Sequence, residues 1–356
     1  FFKTVTSKIE EGTNTNSRII NISVEEKPTG EISAGAGLST NGASVMFGVK
    51  ENNYLGKGIK VDTNLFVNEE SIKGVFSVTN PNFNNSDKSV NLSILSSETD
   101  RLTDFGYKTN KSGFTVGTYF EYLDDLNLGL ATSNYYEKIE TDSTASTRQK
   151  SQEGSYWDSF INLNFDYDTR NQKFQPTDGF RSQYFLDTPI LSETATLTNT
   201  YLYKYFTELY ENNVSSFSIF LSSALSLKDE DIKLSERIIL PSSRLRGFER
   251  GRVGPKDGDD FIGGNYAAAL NLSTTIPQIL PNAQNLDVLM FMDVANLWGV
   301  DYDSSLSDSD TIRSSVGLGV DWFTVIGPFN FSVALPVSKA STDKTETFRF
   351  NLGTTF

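Results

Sequence analysis

The sequence predicts an all-β fold, a 16-stranded antiparallel transmembrane β-barrel. Three observations lead to this prediction. Apolar and polar residues alternate along most of the chain, and alternating residues lie on opposite faces of a β-strand. The alternating segments reach an even count, as in bacterial membrane barrels. Their connections are short at one end of the strands and long at the other, which is typical of barrels in an outer membrane.

Residues 1–28 stand apart from this barrel pattern. Two alternating segments, 2–9 and 18–26, flank Glu11-Gly12-Thr13-Asn14, which is a typical hairpin turn. A two-stranded hairpin alone is only marginally stable in water. We therefore expect residues 1–28 to be the C-terminal fragment of a larger soluble domain and residues 29–356 to form the barrel.

The barrel strands are expected from Gly30 onward. In 312–322 the even positions are mostly apolar, as at Val316 and Leu318, whereas the odd positions include Arg313 and Asp321. The sixteen expected strands are 30–39, 43–52, 59–68, 71–79, 88–98, 113–122, 127–138, 155–167, 180–188, 196–209, 214–227, 264–276, 285–298, 312–323, 328–338 and 345–356.

The connections differ between the two ends of these strands. Those after even-numbered strands are mostly short turns, such as 53–58 and 123–126. The four longest follow odd-numbered strands and cover 99–112, 139–154, 228–263 and 299–311. No run of about 18 apolar residues occurs, so we expect no transmembrane helix.

Composition narrows the possible functions. The sequence has neither histidine nor cysteine, which excludes a Ser-His-Asp triad, a histidine general base and thiol chemistry. We therefore expect no enzyme activity, cofactor or metal site. Asp124 and Asp125 are adjacent carboxylates, but they lie in an expected turn, where aspartates are common. The net charge of −14 argues against nucleic acid as a partner.

The connection 228–263 is the longest of all and carries five glycines and five arginines. A connection of this length without strand pattern is either disordered or functional. Further along, Met290 and Met292 belong to the apolar face of the strand 285–298, so Asp293 is expected on the face toward the lumen.

Several short motifs along the whole sequence, taken in their order and spacing, resemble one family. They resemble the BamA family, the barrel subunits of the outer-membrane β-barrel assembly machine within the outer-membrane assembly factor superfamily. The motifs are Val24-Glu25-Glu26-Lys27-Pro28-Thr29-Gly30, Asn53-Tyr54-Leu55-Gly56-Lys57-Gly58, Val78-Thr79-Asn80-Pro81-Asn82-Phe83, Phe174-Gln175-Pro176-Thr177-Asp178-Gly179, Leu245-Arg246-Gly247-Phe248, Gly263-Gly264-Asn265, Phe291-Met292-Asp293 and Ile326-Gly327-Pro328.

The resemblance implies a role for the connection 228–263. In the family this loop folds back into the lumen, and its arginine pairs with an aspartate, which here are Arg246 and Asp293. Gly247 would let the backbone turn, and Phe248 would pack on the wall. The family often carries a glutamate on the strand 265–276 as a second partner, but the matching position here is Ser273, which carries no charge. We therefore expect a pair rather than a three-residue network.

The resemblance also implies the function, partners and location. The protein would fold and insert client β-barrel proteins into the bacterial outer membrane. Its partners would be unfolded outer-membrane protein clients, accessory assembly lipoproteins and outer-membrane lipid. Residues 1–28 would be the last two strands of the final periplasmic polypeptide-transport-associated (POTRA) domain, which places the N-terminal segment in the periplasm.

The first and last barrel strands must pair to close the barrel. The first strand is rich in small residues, and glycine weakens a strand by its backbone entropy and its lack of packing. This pattern fits either a crowded wall or a weak seam, and the resemblance implies a seam that opens laterally to admit clients. The expected seam residues are Ser33, Ala34, Gly35, Ala36, Gly37, Phe350, Leu352, Gly353 and Phe356.

Three alternatives remain open from the sequence. The protein could be a related barrel, either of a translocation assembly module or of a two-partner secretion transporter. It could be a passive porin, although a porin would not need the segment 1–28 or the Arg246 motif. A barrel enzyme is disfavoured because histidine is absent.

Overall fold

Sixteen strands form one closed antiparallel barrel in the computed structural model, in which each strand pairs with its neighbours in sequence order. This arrangement confirms the predicted fold class and strand count. The structure describes residues 1–14, 16–228, 230–277, 279, 285–300, 306, 311–325 and 327–353. Phe356 of the expected seam and Ile326 of the Ile326-Gly327-Pro328 motif lie outside the described residues.

A separate hairpin precedes the barrel and consists of β1 (Phe2–Glu11) and β2 (Arg18–Glu26). The first eight barrel strands are β3 (Gly30–Ser39), β4 (Gly42–Tyr54), β5 (Ile59–Asn68), β6 (Ser71–Asn80), β7 (Ser89–Arg101), β8 (Tyr107–Leu123), β9 (Leu126–Thr141) and β10 (Gly154–Asp168). The barrel continues with β11 (Gly179–Pro189), β12 (Thr196–Thr207) and β13 (Ser215–Ser226).

A small hairpin of β14 (Lys256–Asp257) and β15 (Asp260–Phe261) interrupts the barrel order. The last barrel strands are β16 (Tyr266–Thr275), β17 (Leu286–Trp298), β18 (Arg313–Thr324), β19 (Gly327–Ser338) and β20 (Phe348–Gly353). The helices are α1 (Leu102–Phe105) and α2 (Thr147–Lys150), with single 3-10 turns at Phe83–Asn85 and Ser242–Arg244. Within the described residues, no helix has the length and apolar character needed to cross a bilayer.

The alternation predicted from the sequence separates an outer from an inner face. Met290 and Leu318 lie on the outer face and are 47% and 56% exposed. Asp293 and Ser315, which point to the lumen, are fully buried. Successive side chains of a strand point to opposite faces. An apolar residue at every second position is therefore enough to build the lipid-facing outer surface.

The prediction of a long loop at 99–112 is wrong. β7 continues to Arg101 and β8 begins at Tyr107, so only α1 and Gly106 separate the two strands. The hairpin continues as polar cross-strand pairs, including a 2.6 Å ion pair between Lys108 Nζ and Glu98 Oε1. The part of a strand that extends into water needs no apolar outer face. The alternation of apolar and polar residues therefore ends before β7 and β8 do, and the rest of the hairpin was mistaken for a loop. Most of the expected loop 299–311 lies outside the described residues.

The lumen is filled at the end opposite the N-terminal hairpin by the long loop, residues 227–265, between β13 and β16. Two clusters of buried apolar residues join it to the wall. In the larger cluster the loop side chains Leu240, Leu245, Phe248 and Val253 pack against Phe220, Ala267, Ala269, Ala295 and Leu297 of the wall. Burying a leucine or phenylalanine stabilises by about 1.5–3 kcal/mol, so the loop is held by apolar packing as well as by polar contacts.

Candidate functional site

Arg246 of the long loop binds Asp293 of β17 through both arms of its guanidinium group. Arg246 Nε donates to Asp293 Oδ2 at 2.8 Å and Arg246 Nη2 donates to Oδ1 at 2.8 Å. The backbone N–H of Arg246 adds a third bond to Oδ2 at 3.0 Å. The guanidinium carbon lies 3.4 Å from the ring centroid of Phe291. A bidentate contact of this kind fixes both the position and the orientation of the loop.

Gly247 and Phe248 hold the loop directly against the wall. Gly247 has a φ of +89°, a backbone conformation that favours glycine, and a Cβ there would lie 3.1 Å from Ala334 Cβ. Phe248 is 1% exposed and forms an isolated backbone bridge with Thr345. The glycine therefore provides both the turn and the close approach that let the phenylalanine enter the core.

A third residue, Asn271 of β16, completes the contact, and no motif in the sequence indicated it. Asn271 lies directly opposite Asp293, and its Nδ2 donates to Asp293 Oδ1 at 2.8 Å and to the carbonyl of Arg244 at 2.9 Å. Ser273, the position considered from the sequence, lies opposite Phe291 and bonds Ser216 Oγ at 2.8 Å instead. The expectation of a pair alone is therefore incomplete: an uncharged amide serves as the third member.

The long loop is also tied to β20 and the residues just before it. Arg349 Nη2 donates to the carbonyl of Phe248 at 2.7 Å, and Arg349 Nη1 donates to that of Ser242 at 2.5 Å. The backbone N–H of Glu346 donates to the carbonyl of Gly247 at 3.1 Å. No motif in the sequence indicates these contacts, because they join segments about 100 residues apart and their acceptors are backbone carbonyls.

A second polar anchor lies deeper in the loop, at Lys233. Its side chain is 2% exposed, and its ammonium contacts Glu137 at 3.3 Å, Glu236 at 3.2 Å and Asp158. Burial alone would lower the pKa of Lys233, but the charges of Glu236 and Glu137 and the hydrogen bond with Asp158 hold it above its ordinary value. Burial raises the pKa of the Glu236 carboxyl. One buried cation thus forms ion pairs with three carboxylates.

The barrel closes where β20 meets β3. Among the described residues, the pairs are Asn351 with Ser39, Leu352 with Leu38 and Gly353 with Gly37, and the backbone N–H of Thr40 donates to the carbonyl of Phe350. On its other side, β3 pairs with β4 from Gly30 to Ser39. The small residues Ser33, Ala34, Gly35 and Ala36 of β3 come just before these positions and offer little side-chain packing to a neighbouring strand.

A family model described as the Omp85 superfamily domain matches residues 53–356 of the protein. An outer membrane protein assembly factor BamA from Neorickettsia risticii is 24% identical over 347 residues, which cover 95% of this chain and 46% of that protein. The BamA of Nitratidesulfovibrio vulgaris is 25% identical over 362 residues, which cover 95% of this chain and 43% of that protein. The sequence thus spans less than half the length of these curated relatives.

The fold is also that of a solved structure. The crystal structure of BamA from Haemophilus ducreyi lacking POTRA domains 1–3 superposes with a TM-score of 0.93 at 22% sequence identity. The superposition covers 100% of this protein and 76% of the other. At this identity the likeness concerns the fold alone.

Proposed function

This chain belongs to the Omp85 superfamily, and from that premise we propose that it is the membrane-embedded part of an outer-membrane protein assembly factor. The barrel lies in the outer membrane. It folds and inserts client β-barrel proteins through the seam between β3 and β20. The observation that carries the assembly role is the match of the Omp85 superfamily domain over residues 53–356. The run of small residues from Ser33 to Gly37 on β3 supports the seam as the route, because it gives few cross-strand side-chain contacts.

A seam poor in side-chain packing is suited to opening because it is held chiefly by backbone hydrogen bonds. Each of these contributes only about 1 kcal/mol net. The separated edges present unpaired N–H and C=O groups, which template an incoming strand by β-augmentation. Because every backbone polar group must be paired inside a bilayer, such a template lowers the barrier for a client strand to enter.

The long loop acts as a brace for the barrel in this proposal rather than as a catalyst. Arg246 is fully engaged by Asp293, and Phe248 is buried in the wall. Through Arg349 the loop also holds the strand that forms one side of the seam. A lumen packed by this loop disfavours a passive porin.

Residues 1–28 are, in this proposal, the last two strands of a periplasmic POTRA domain. The hairpin exposes apolar side chains that a complete domain would cover, among them Val5, Ile9, Ile20 and Ile22. The superposition on the Haemophilus ducreyi structure includes this hairpin, since it covers the whole protein. The short turns then face the periplasm, where unfolded clients and accessory assembly lipoproteins are the partners, and the outer face contacts outer-membrane lipid.

The test is a disulfide that locks the seam. Ser39 and Asn351 are directly opposed, and the sequence has no other cysteine, so Ser39→Cys with Asn351→Cys forms one defined staple. The matched control is Ser216→Cys with Ser273→Cys, which staples β13 to β16 where two hydroxyls already lie 2.8 Å apart. Both variants are made in the full-length protein and reconstituted into liposomes with an unfolded client barrel.

Oxidation of the seam staple is expected to stop client assembly, measured as heat-resistant folded client on gels, and reduction is expected to restore it. The control staple should leave assembly at the level of the unaltered protein in both states. Normal assembly by the oxidised seam variant would rule out the seam as the route of insertion.

A further inference from the structure

A row of polar side chains crosses the lumenal wall at the level of Asp293. Directly opposed residues on five adjacent strands form it: Arg181 on β11, Lys204 on β12, Ser218 on β13, Asn271 on β16 and Asp293 on β17. Opposed residues of neighbouring strands share a face and interact through their side chains. The row therefore forms one continuous polar surface inside the barrel.

The charges at both ends of this row are neutralised. Arg181 Nε and Nη2 donate to the two carboxylate oxygens of Asp166 at 2.8 Å and 2.7 Å. Asp293 is neutralised by Arg246. Between them, Lys204 has no carboxylate partner among the residues that the structure describes, and its ammonium lies 4.9 Å from the ring centroid of Phe206.

The long loop brings a second cation to the same place. Arg244 Nη1 donates to Ser218 Oγ at 3.3 Å, and Ser218 is the residue directly opposite Lys204. The guanidinium carbon of Arg244 lies 5.4 Å from the ring centroid of Phe220. Arg244, too, has no carboxylate within ion-pairing distance in the described part of the protein. Lys204 is thus directly opposite the residue that Arg244 binds, and each of the two cations lies near an aromatic ring.

An unneutralised cation in a partly enclosed lumen is unfavourable, because the interior screens charge less than water does. The surrounding contacts nevertheless hold both cations in position: Asn271 binds the carbonyl of Arg244, and Phe206 and Phe220 lie beneath the charges. Lys204 is exposed to the free space of the lumen, close to the end of β12 on the side of the short turns.

We propose that Lys204 and Arg244, with Ser218 between them, bind a carboxylate group of a client polypeptide inside the lumen. This inference rests on the proposed function and specifies where an unfolded client is held before insertion. A lysine point charge and an arginine fork together suit a carboxylate. The Ser218 hydroxyl accepts from Arg244 and donates to Asn271 Oδ1 at 3.4 Å, so it positions the guanidinium group. A polypeptide inside the lumen is on the same side of the wall as the site, whereas lipid headgroups lie outside the wall. The carboxylate is either that of an acidic side group or that of the client's C-terminus.

The test measures binding of four labelled peptides to the full-length protein in nanodiscs by fluorescence anisotropy. All four share one alternating apolar and polar sequence. They combine an internal Asp or Asn with a C-terminal acid or amide, so the two sources of carboxylate are separated. The variants are Lys204→Met and Arg244→Met. Lys228→Met is the control, because it removes a lysine that binds the carbonyls of Ser192 and Glu193 elsewhere.

Each site variant is expected to weaken binding of the carboxylate peptides about tenfold and to leave the fully neutral peptide unchanged, since a hydrogen bond to a charged group contributes about 1.5–3 kcal/mol. The peptide series then identifies which carboxylate is bound.

Lys204→Arg keeps the charge and should retain binding, which guards against a variant that only misfolds. Equal affinity of all four peptides for the unaltered protein, or no loss in either site variant, would overturn the proposal. If the peptide test fails but the oxidised seam disulfide stops client assembly, only the carboxylate site is ruled out. If the oxidised seam disulfide does not stop client assembly, insertion through the seam is ruled out, whatever the peptides show.

Discussion

Asn271 and Asp293 lie directly opposite each other on β16 and β17, and the Asn271 amide donates to the Asp293 carboxylate at 2.8 Å. Asp293 therefore accepts bonds from two elements at once, the wall through Asn271 and the loop through Arg246. Because Asn271 also binds the carbonyl of Arg244, one amide couples the loop backbone to the buried carboxylate. The long loop is thus fixed by a network rather than by one ion pair.

Replacing Arg246 with alanine should release the loop. The change leaves the fully buried Asp293 without a cation, and breaking a buried pair in this way typically costs about 3–5 kcal/mol. Limited proteolysis is then expected to cleave within 227–265 in the variant and not in the unaltered protein, and client assembly should fall. Arg246→Lys keeps the charge but cannot make the bidentate contact, so its loss of protease resistance should be intermediate. Resistance to protease equal to that of the unaltered protein would contradict the role of this pair.

Replacing Asn271 with alanine should weaken the same network without removing a charge. Three hydrogen bonds are lost, those to Asp293 and the Arg244 carbonyl and the one accepted from Ser218, so a cost of about 1–3 kcal/mol is expected. Ser273→Ala on the same strand is the matched control and should change little, because Ser273 does not contact Asp293. Amide hydrogen exchange of residues 244–248 measures the effect of each variant. A larger effect of Ser273→Ala than of Asn271→Ala would show that the register of β16 is wrong.

Replacing Arg349 with methionine should uncouple the long loop from β20. The variant removes the donors to the carbonyls of Phe248 and Ser242 but keeps an apolar stem. Hydrogen exchange should accelerate at Gly247, Phe248 and residues 344–346, because these segments lose a shared anchor. Arg250→Met removes an exposed ion pair with Glu70 and should have almost no effect, as is usual for surface pairs. Identical exchange in the two variants would exclude the coupling.

Replacing Lys233 with methionine should make docking of the loop depend on pH. Without this cation, Glu137, Asp158 and Glu236 are buried carboxylates that repel each other at neutral pH. Protonation relieves the repulsion, so protease resistance of the loop should fall at pH 7 and recover partly near pH 5. The unaltered protein should show little change over the same range, because Lys233 stays charged: its pKa is raised, and its contribution is lost only as the pH rises above the ordinary lysine range. A variant equally resistant at both pH values would contradict the proposed balance of charges.

The alternation of apolar and polar residues was enough to predict all sixteen barrel strands and the lumenal orientation of Asp293. This succeeds because a lipid-facing surface on one side and a polar lumen on the other impose a period of two on every strand that crosses the membrane. Where the hairpin of β7 and β8 extends into water, that constraint is absent, and the predicted loop at 99–112 was wrong for this reason.

What only the tertiary structure decided is which residues meet across elements that are distant in the sequence. Ser273 and Asn271 both lie on the lumenal face of β16, and the pattern alone does not distinguish them, because a shift in register by two residues keeps every side chain on the same face. The register between β13 and β16 is left open by the long loop that joins them, and only the folded barrel brings Ser218 opposite Asn271. The ties from Arg349 to the loop run to backbone carbonyls, which every residue carries, so no sequence pattern could have marked them.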